Sequence, residues 1–121
     1  MDAIVWIGDE WDRSEALAFV VQSYGQMRLY QRVYDLLPSI YDDHYFLQTC
    51  KAIFSDAQIV SEEKAGKFVI DAIFNILPIA AQHSRRVYLK VIGEAVPSII
   101  KHFPADEARS VLVFLEEQWN A

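Results

Sequence analysis

The chain has 121 residues, of which 53% are hydrophobic and 23% charged, and it carries a formal net charge of -6. This length fits a single domain over residues 1–121, and this composition excludes a disordered or low-complexity chain. Because binding to phosphates needs a basic surface, 17 acidic against 11 basic residues argue against a nucleic-acid-binding protein.

The start of the sequence shows no targeting signal. The apolar run from Ala3 to Ile7 is much shorter than the core of a signal peptide, and acidic residues flank it. No stretch approaches the ~18 consecutive apolar residues that a membrane span needs. The single cysteine, Cys50, excludes an internal disulfide and fits a reducing compartment. We therefore expect a cytoplasmic protein with no membrane span.

The first two predicted helices cover residues 12–26 and 27–37, where apolar residues recur at helical spacing. Asp12 or Ser14 is the expected N-cap of the first helix, because a short side-chain acceptor satisfies free backbone N–H groups. Pro38 cannot continue the hydrogen-bond ladder of the second helix. The chain is therefore expected to break or kink at that position.

The third and fourth predicted helices cover residues 43–54 and 61–77. Asp42 and Asp43 place carboxylates at the positive end of the third helix dipole, which favours a helix start there. The fourth helix carries two apolar stripes, and this pattern predicts a central helix that is buried on two sides. Its second stripe consists of Ile70, Phe74 and Leu77.

The fifth and sixth predicted helices cover residues 84–102 and 105–119. Pro97 is expected to kink or end the fifth helix. On the sixth helix, Val113 and Phe114 fall on the outer face, and exposed apolar residues of this kind indicate an interface. The one strand candidate, residues 4–7, is too short to build a sheet alone. The sequence therefore predicts an all-α fold of five to six helices.

An internal repeat relates two segments that lie 40 residues apart. Residues 33–38 (VYDLLP) match residues 73–78 (IFNILP) with a similar or identical residue at every position. With ILP at 76–78 in one helix and RRV at 85–87 opening the next, residues 68–103 resemble a HEAT-like helical hairpin. The resemblance implies a short stack of α-hairpins. A compact bundle is the alternative, because solenoids usually need at least about three units.

Common catalytic and cofactor signatures are missing from the sequence. It has no glycine-rich phosphate loop, no Gly-x-Ser-x-Gly elbow, and neither a His-Glu-x-x-His nor a Glu-x-x-His spacing. Cys50 lies at an inward position between apolar residues, so it is expected to fill the core. We therefore expect a protein that is not an enzyme, with no catalytic, cofactor-binding or metal-binding residues and no cofactor.

Three groups of residues are candidates for binding a partner. Four tyrosines, spaced by 4, 7 and 4 residues, line one surface if the helix bends only gently at Pro38. A basic group lies in the fifth predicted helix, and an acidic group lies near the start of the chain. The candidates are Tyr30, Tyr34, Tyr41, Tyr45, Arg85, Arg86, Lys90, Asp9, Glu10 and Asp12.

These features predict a non-catalytic protein interaction module, either a small adaptor or a regulatory subunit. A sharper version is a dedicated inhibitor, such as an immunity protein, which blocks a basic toxin or nuclease through charge-steered association. The alternative is a helical small-molecule-binding protein with an aromatic-lined pocket. The wide apolar faces further indicate a homodimer or an obligate protein partner, whose identity the sequence does not contain.

Overall fold

α-Helices cover most of the part of the chain that the structure, a computed structural model, describes. The structure describes residues 10–120, and for Glu10 and Trp11 it describes the backbone but not the side chain. No residue in this range lies in a β-strand, so the predicted all-α fold is confirmed. The strand candidate at residues 4–7 lies outside the described residues. The α-helices are α1 (Glu10–Gln26), α2 (Tyr30–Leu36), α3 (Asp43–Ser55), α4 (Glu62–His83), α5 (Arg85–His102) and α6 (Ala105–Asn120).

Contacts within the chain divide it into two compact units. Unit 1 is Met1–Ile53 and unit 2 is Phe54–Ala121, so the boundary falls in the last turn of α3. Each unit has its own buried apolar residues, as an independently packed group of helices must. The prediction of one domain over the whole chain stays a prediction, because the two units are described separately.

In unit 1, α1 packs against α2 and against the short 3-10 turn at Leu37–Ser39. α2 ends at Leu36, so the break predicted at Pro38 is confirmed. Cys50 is fully buried, which confirms that it fills the core. The other fully buried side chains of this unit include Val21, Val33, Leu37, Ile40 and Phe46.

α1 is closed by a residue in the left-handed conformation. Arg28 has a φ of 60°, in the region that glycine usually occupies after a helix. The N–H of Leu29 donates to the carbonyl of Tyr24, and the N–H of Arg28 donates to the carbonyl of Gly25, both at 2.9 Å. These two bonds satisfy carbonyls at the end of α1. They also delay the start of α2 to Tyr30, instead of the predicted residue 27.

The prediction that Asp12 or Ser14 is the N-cap of α1 is wrong, since α1 already begins at Glu10. Ser14 lies inside α1 and is buried, and its Oγ accepts a hydrogen bond from the backbone N–H of Asp42 at 3.1 Å. The carboxylate of Asp42 in turn accepts from the N–H of Tyr45 at 3.1 Å and so caps α3. Ser14 therefore holds the start of α3, a partner 28 residues away that local sequence rules do not reveal.

In unit 2, α4 and α5 form a helical hairpin, and α6 packs against α5. Ser84 separates the hairpin helices, and its Oγ caps α5 by accepting from the N–H of Val87 at 3.1 Å. The largest fully buried side chains of this unit are Val69, Ile76, Val87, Val91 and Ile99. The core of unit 2 is thus built mainly from the facing sides of α4 and α5.

Two helices of unit 2 continue through a proline, so α4 passes its predicted end at residue 77 and the prediction that Pro97 ends its helix is wrong. α4 continues through Pro78 to His83, and α5 continues through Pro97 to His102. A proline in a helix leaves the carbonyl four residues earlier without its donor, and here those carbonyls belong to Phe74 and Gly93. Both prolines and both of these residues are exposed, so water can hydrate the freed carbonyls and the helices continue.

Candidate docking groove

The second apolar stripe of α4 is not covered as predicted. Leu77 is buried and Ile70 is half-buried, but Phe74 between them leaves 62% of its surface exposed. The prediction that α4 is buried on two sides is therefore wrong at Phe74. The physical reason is that α6 packs principally against α5, so it does not close over the outer side of α4.

Phe74 instead forms one wall of a groove between α4 and α6. The ring of Phe74 lies 6.2 Å, centroid to centroid, from the ring of Phe114, and the two planes are tilted by 51°. Two cavities of about 270 Å³ and about 200 Å³ share Ile73, Phe74 and Phe114, so they form one continuous groove. The remaining lining residues are Ile70, Leu77, Pro78, Ala81, Tyr88, Ser110, Val111 and Gln118.

The two walls of the groove run in the same direction. Near one end Ile70 of α4 shares a cavity with Val111 of α6, and near the other end Ala81 shares a cavity with Gln118. Tyr88 contributes the only α5 side chain among these lining residues. Because an α-helix rises 1.5 Å per residue, the wall from Ile70 to Ala81 is about 16 Å long, which is about three helical turns.

The polar groups of the groove are bonded within unit 2. The hydroxyl of Tyr88 donates to Oε1 of Gln118 at 3.3 Å, and the hydroxyl of Ser110 donates to the carbonyl of Asp106 at 3.3 Å. The groove thus presents carbon atoms and aromatic rings to an occupant, with few polar groups that need a new partner. Such a surface is suited to apolar contact rather than to proton transfer or ion binding.

The rim of the groove is mainly acidic. Glu107 and Glu117 lie one helical turn before Val111 and one turn after Phe114 on α6, and both are exposed. On α4, Asp71 lies one turn before Phe74 and is also exposed, while Lys67 is the basic residue one turn before Ile70. By the same spacing, Asp106 lies one turn before Ser110, and Arg85 lies four residues after Ala81, and both are exposed. Four carboxylates against two cations give the rim of the groove a net negative charge.

α4 is also long and apolar enough to cross a membrane, judged by length and composition alone. In the structure, 39% of its most apolar stretch is buried within the protein. Its composition therefore has a local explanation, because one side packs in the core of unit 2 and the other lines the groove. This double use gives α4 more apolar residues than one buried stripe requires.

The structure does not place the four predicted tyrosines on one helix face. Tyr30 and Tyr34 lie half-buried on α2, Tyr41 lies exposed between α2 and α3, and Tyr45 lies on α3. The condition of a gentle bend at Pro38 is not met, because Ile40 after the 3-10 turn is extended and breaks the helical path. The tyrosines therefore cannot form the continuous helical row that their spacing indicates.

Tyr45 has a role in the fold of unit 1. Its hydroxyl donates to Oε2 of Glu15 at 2.5 Å, across 30 residues of sequence. This hydrogen bond, then desolvation, and then the negative charges of Glu15, Asp42 and Asp12 raise the pKa of Tyr45 to about 12. The phenol therefore stays protonated at neutral pH and links α3 to α1.

None of the charged candidates whose side chains are described belongs to the lining of the groove. Asp9 lies outside the described residues, as does the side chain of Glu10, and Asp12 is exposed on α1. Arg85 donates from Nη2 to the carbonyl of Trp119 at 2.8 Å, which places a cation at the C-terminal end of α6. The remaining two candidates, Arg86 and Lys90, are exposed on α5.

The binding residues predicted from the sequence thus do not include those that line the groove, although the sequence contains two signals for it. One was the second apolar stripe of α4, and the other was the predicted exposure of Val113 and Phe114, which is confirmed.

No three His, Cys, Asp or Glu side chains among the described residues lie close enough together to hold a metal ion. No protein-family model matches the chain, and neither the curated proteins nor the solved structures contain a significant match.

Proposed function

We propose that this protein is a non-catalytic interaction module, an adaptor or regulatory subunit, that binds another protein through the groove between α4 and α6. The observation that carries the proposal is the 62% exposure of Phe74 in the middle of an otherwise apolar groove. Single exposed apolar residues are ordinary, but a ring that joins a second ring and two adjoining cavities forms a contiguous apolar surface.

Covering this surface with a partner has a clear energetic basis. Transfer of a phenylalanine side chain from water into an apolar contact contributes about 2 kcal/mol. Most of the Phe74 side chain still contacts water, so most of this free energy is released only when a partner covers the ring. Phe114 beside it is 39% exposed. Aromatic residues in partly formed pockets are the residues that usually dominate the free energy of protein association.

The chemistry of the lining supports a non-catalytic role. Its polar side chains are those of Tyr88, Ser110 and Gln118, and no carboxylate, imidazole or thiol belongs to the lining. A serine hydroxyl such as that of Ser110 acts as a nucleophile only when an adjacent base activates it, and the lining supplies no such base. The groove offers apolar contact and shape, which are the properties of a binding surface.

The second candidate function is binding of a small apolar molecule, and the aromatic lining favours it. The two cavities of about 270 Å³ and about 200 Å³ together lie within the ~300–1,000 Å³ that is typical of small-molecule sites. However, the groove is open enough to leave 62% of Phe74 in solvent, whereas such sites enclose most of their ligand. If an apolar ligand were the true occupant, a thermal-shift screen would find stabilisation that the Phe74→Ser variant loses.

A capture experiment tests the proposed function. The tagged wild type, Phe74→Ser and Phe19→Ser are each incubated with lysate of the cells that make the protein, and bound proteins are quantified. Phe19 is the matched control, because it is 64% exposed but belongs to unit 1. We expect Phe74→Ser to lose a stoichiometric partner that Phe19→Ser retains. Equal retention by both variants, each shown to be folded by circular dichroism, would contradict the proposal.

A further inference from the structure

The groove has the dimensions and chemistry to select one class of occupant. We infer that it binds a short amphipathic helix of a partner protein, with apolar side chains on one face and Lys or Arg residues beside them. This inference rests on the proposed function, and it adds the conformation and the charge of the segment that is bound. Three features of unit 2 carry it: the length of the groove, its apolar floor and the sign of its rim.

The length and floor of the groove fit a helical segment. A wall of about three turns accommodates apolar anchors at positions i, i+4 and i+7 of a bound helix, which is the usual pattern of helix-in-groove recognition. An extended peptide would instead need free backbone donors and acceptors along the groove. Both walls are α-helices, whose backbone groups are bonded internally, and the hydroxyls of Tyr88 and Ser110 already have acceptors.

The rim selects the charge of the occupant. Four exposed acidic residues each lie one helical turn from a residue that lines the groove: Asp71 on α4, and Asp106, Glu107 and Glu117 on α6. Basic side chains flanking the anchors of a bound helix would reach these carboxylates, whereas acidic ones would be repelled. The net charge of -6 for the whole chain acts in the same direction and speeds encounter with a basic partner.

The same rim disfavours a second copy of this chain as the occupant. In a two-fold dimer each patch faces its own copy, with residue i near residue j and j near i. Because the rim carries more carboxylates than cations, two copies would bring carboxylates such as Glu107 and Glu117 towards each other around an apolar centre. Like charges at an interface weaken association, so the acidic rim favours a basic partner over self-association.

Selection from a peptide library tests the class of occupant directly. A displayed library of random peptides of about 15 residues, enough for three turns with flanking positions, is first depleted on folded Phe74→Ser protein and then selected on wild type. We expect the enriched peptides to carry apolar residues at helical spacing and a surplus of Lys and Arg. Failure to enrich any peptide, or enrichment without a basic surplus, would overturn the inference.

A synthetic copy of the most enriched peptide then tests the rim. Glu117→Lys is compared with Glu116→Lys, which makes the same charge change on the same helix but on the face away from Phe114. We expect Glu117→Lys to weaken binding about fivefold, and Glu116→Lys to leave the Kd nearly unchanged. Equal effects of the two substitutions would overturn the assigned charge.

The outcomes separate this inference from the function on which it rests. If the library result fails while Phe74→Ser still loses its partner in the capture experiment, the groove is a docking site for another kind of segment. If Phe74→Ser and Phe19→Ser retain the same proteins in that experiment, the proposed function itself fails. Circular dichroism of the bound peptide adds an independent readout, because a helical occupant gains helical signal when titrated with wild type.

Discussion

Unit 1 and unit 2 depart from a simple apolar core in different ways. Unit 1 encloses polar side chains, since Ser14 and Thr49 are buried and each makes a hydrogen bond within the unit. Unit 1 also exposes apolar side chains, among them Phe19, but unit 2 places two exposed rings, Phe74 and Phe114, side by side in a groove. A buried polar group with a partner is explained by the fold that contains it. An exposed apolar groove has no such internal explanation, so unit 2 is the part of the protein where we expect a partner to bind.

The largest expected effect is a difference in the free energy of unfolding between two alanine substitutions, one at a buried phenylalanine of unit 1 and one at the exposed phenylalanine of unit 2. Phe46→Ala should lower the free energy of unfolding by about 3–5 kcal/mol, because it leaves a cavity in the core. Phe74→Ala should change it by less than about 1 kcal/mol, because its ring is mostly in solvent. Urea titration of both variants measures the two values. Similar losses for the two would contradict the contrast between core and groove.

The second effect concerns the polar interior of unit 1. Ser14→Ala removes the acceptor of the Asp42 N–H at the start of α3, so we expect a loss of about 1–2 kcal/mol. The matched control is Ser23→Ala on the same helix, where the exposed hydroxyl donates only to the carbonyl of Phe19. Its effect should stay within about 0.5 kcal/mol. If both substitutions cost the same in urea titrations, the bond to α3 does not stabilise unit 1.

The third effect depends on pH. The pKa of Tyr45 is raised to about 12, above its ordinary value of 10.0, mainly by the hydrogen bond to Glu15. The folded state therefore holds this proton more tightly than the unfolded state, and the resulting stability is present below pH 10 and lost as the pH rises to about 12. Tyr45→Phe should be less stable than wild type below pH 10.

Unfolding midpoints measured between pH 8 and about 12 test this dependence. The difference between wild type and Tyr45→Phe should shrink above pH 10, where wild type loses its proton-linked stability. Tyr41→Phe is the control, because Tyr41 lies in solvent. If the difference in unfolding midpoint between wild type and Tyr45→Phe stays constant across the whole range, the hydrogen bond to Glu15 does not raise the pKa of the Tyr45 hydroxyl.

The fourth effect is a stabilisation of unit 1. Arg28 occupies the left-handed position that closes α1, where a β-carbon is strained and glycine is not. Arg28→Gly should therefore raise the free energy of unfolding by about 1 kcal/mol. Arg28→Ala should give no such gain, because alanine keeps the β-carbon. Thermal unfolding of the two variants distinguishes relief of backbone strain from loss of the arginine side chain.

The smallest effect compares two helical glycines of unit 2. Gly93→Ala should stabilise α5 by about 0.5–1 kcal/mol, because alanine favours the helix and no atom outside the adjoining backbone of α5 and the two neighbouring residues lies within 4 Å of the new β-carbon. Gly66→Ala should gain less, because its β-carbon would lie 3.3 Å from Cε1 of Phe103. Equal gains in urea titrations would indicate that Phe103 moves aside without cost.

The all-α fold was predictable because helical spacing and end signals act locally. The starts of α3 and α6 were predicted to the residue, and both follow from carboxylates in the first helical turn. The continuation of α4 past Pro78 was not predictable in this way. It depends on the proline and Phe74 both facing solvent, and such facing is decided by tertiary packing.

The candidate site was only partly predictable for the same reason. Spacing indicated that Ile70, Phe74 and Leu77 share a face, but not whether another helix covers it. That outcome depends on α6 packing against α5, which no pattern within α4 contains. The tyrosine spacing was misleading, because it assumed a helical path through residues 37–42 that the 3-10 turn interrupts. The long-range bond from Tyr45 to Glu15 likewise had no local signal.

The central claim is that the groove of unit 2 is where a partner docks. The most direct test replaces Phe74 with the photoreactive amino acid p-benzoylphenylalanine and irradiates the protein in lysate of the cells that make it. The same replacement at Phe19, which is equally exposed in unit 1, is the control. We predict a discrete crosslinked protein from position 74 that is absent from position 19. No crosslink at position 74, or the same products from both positions, would contradict the claim.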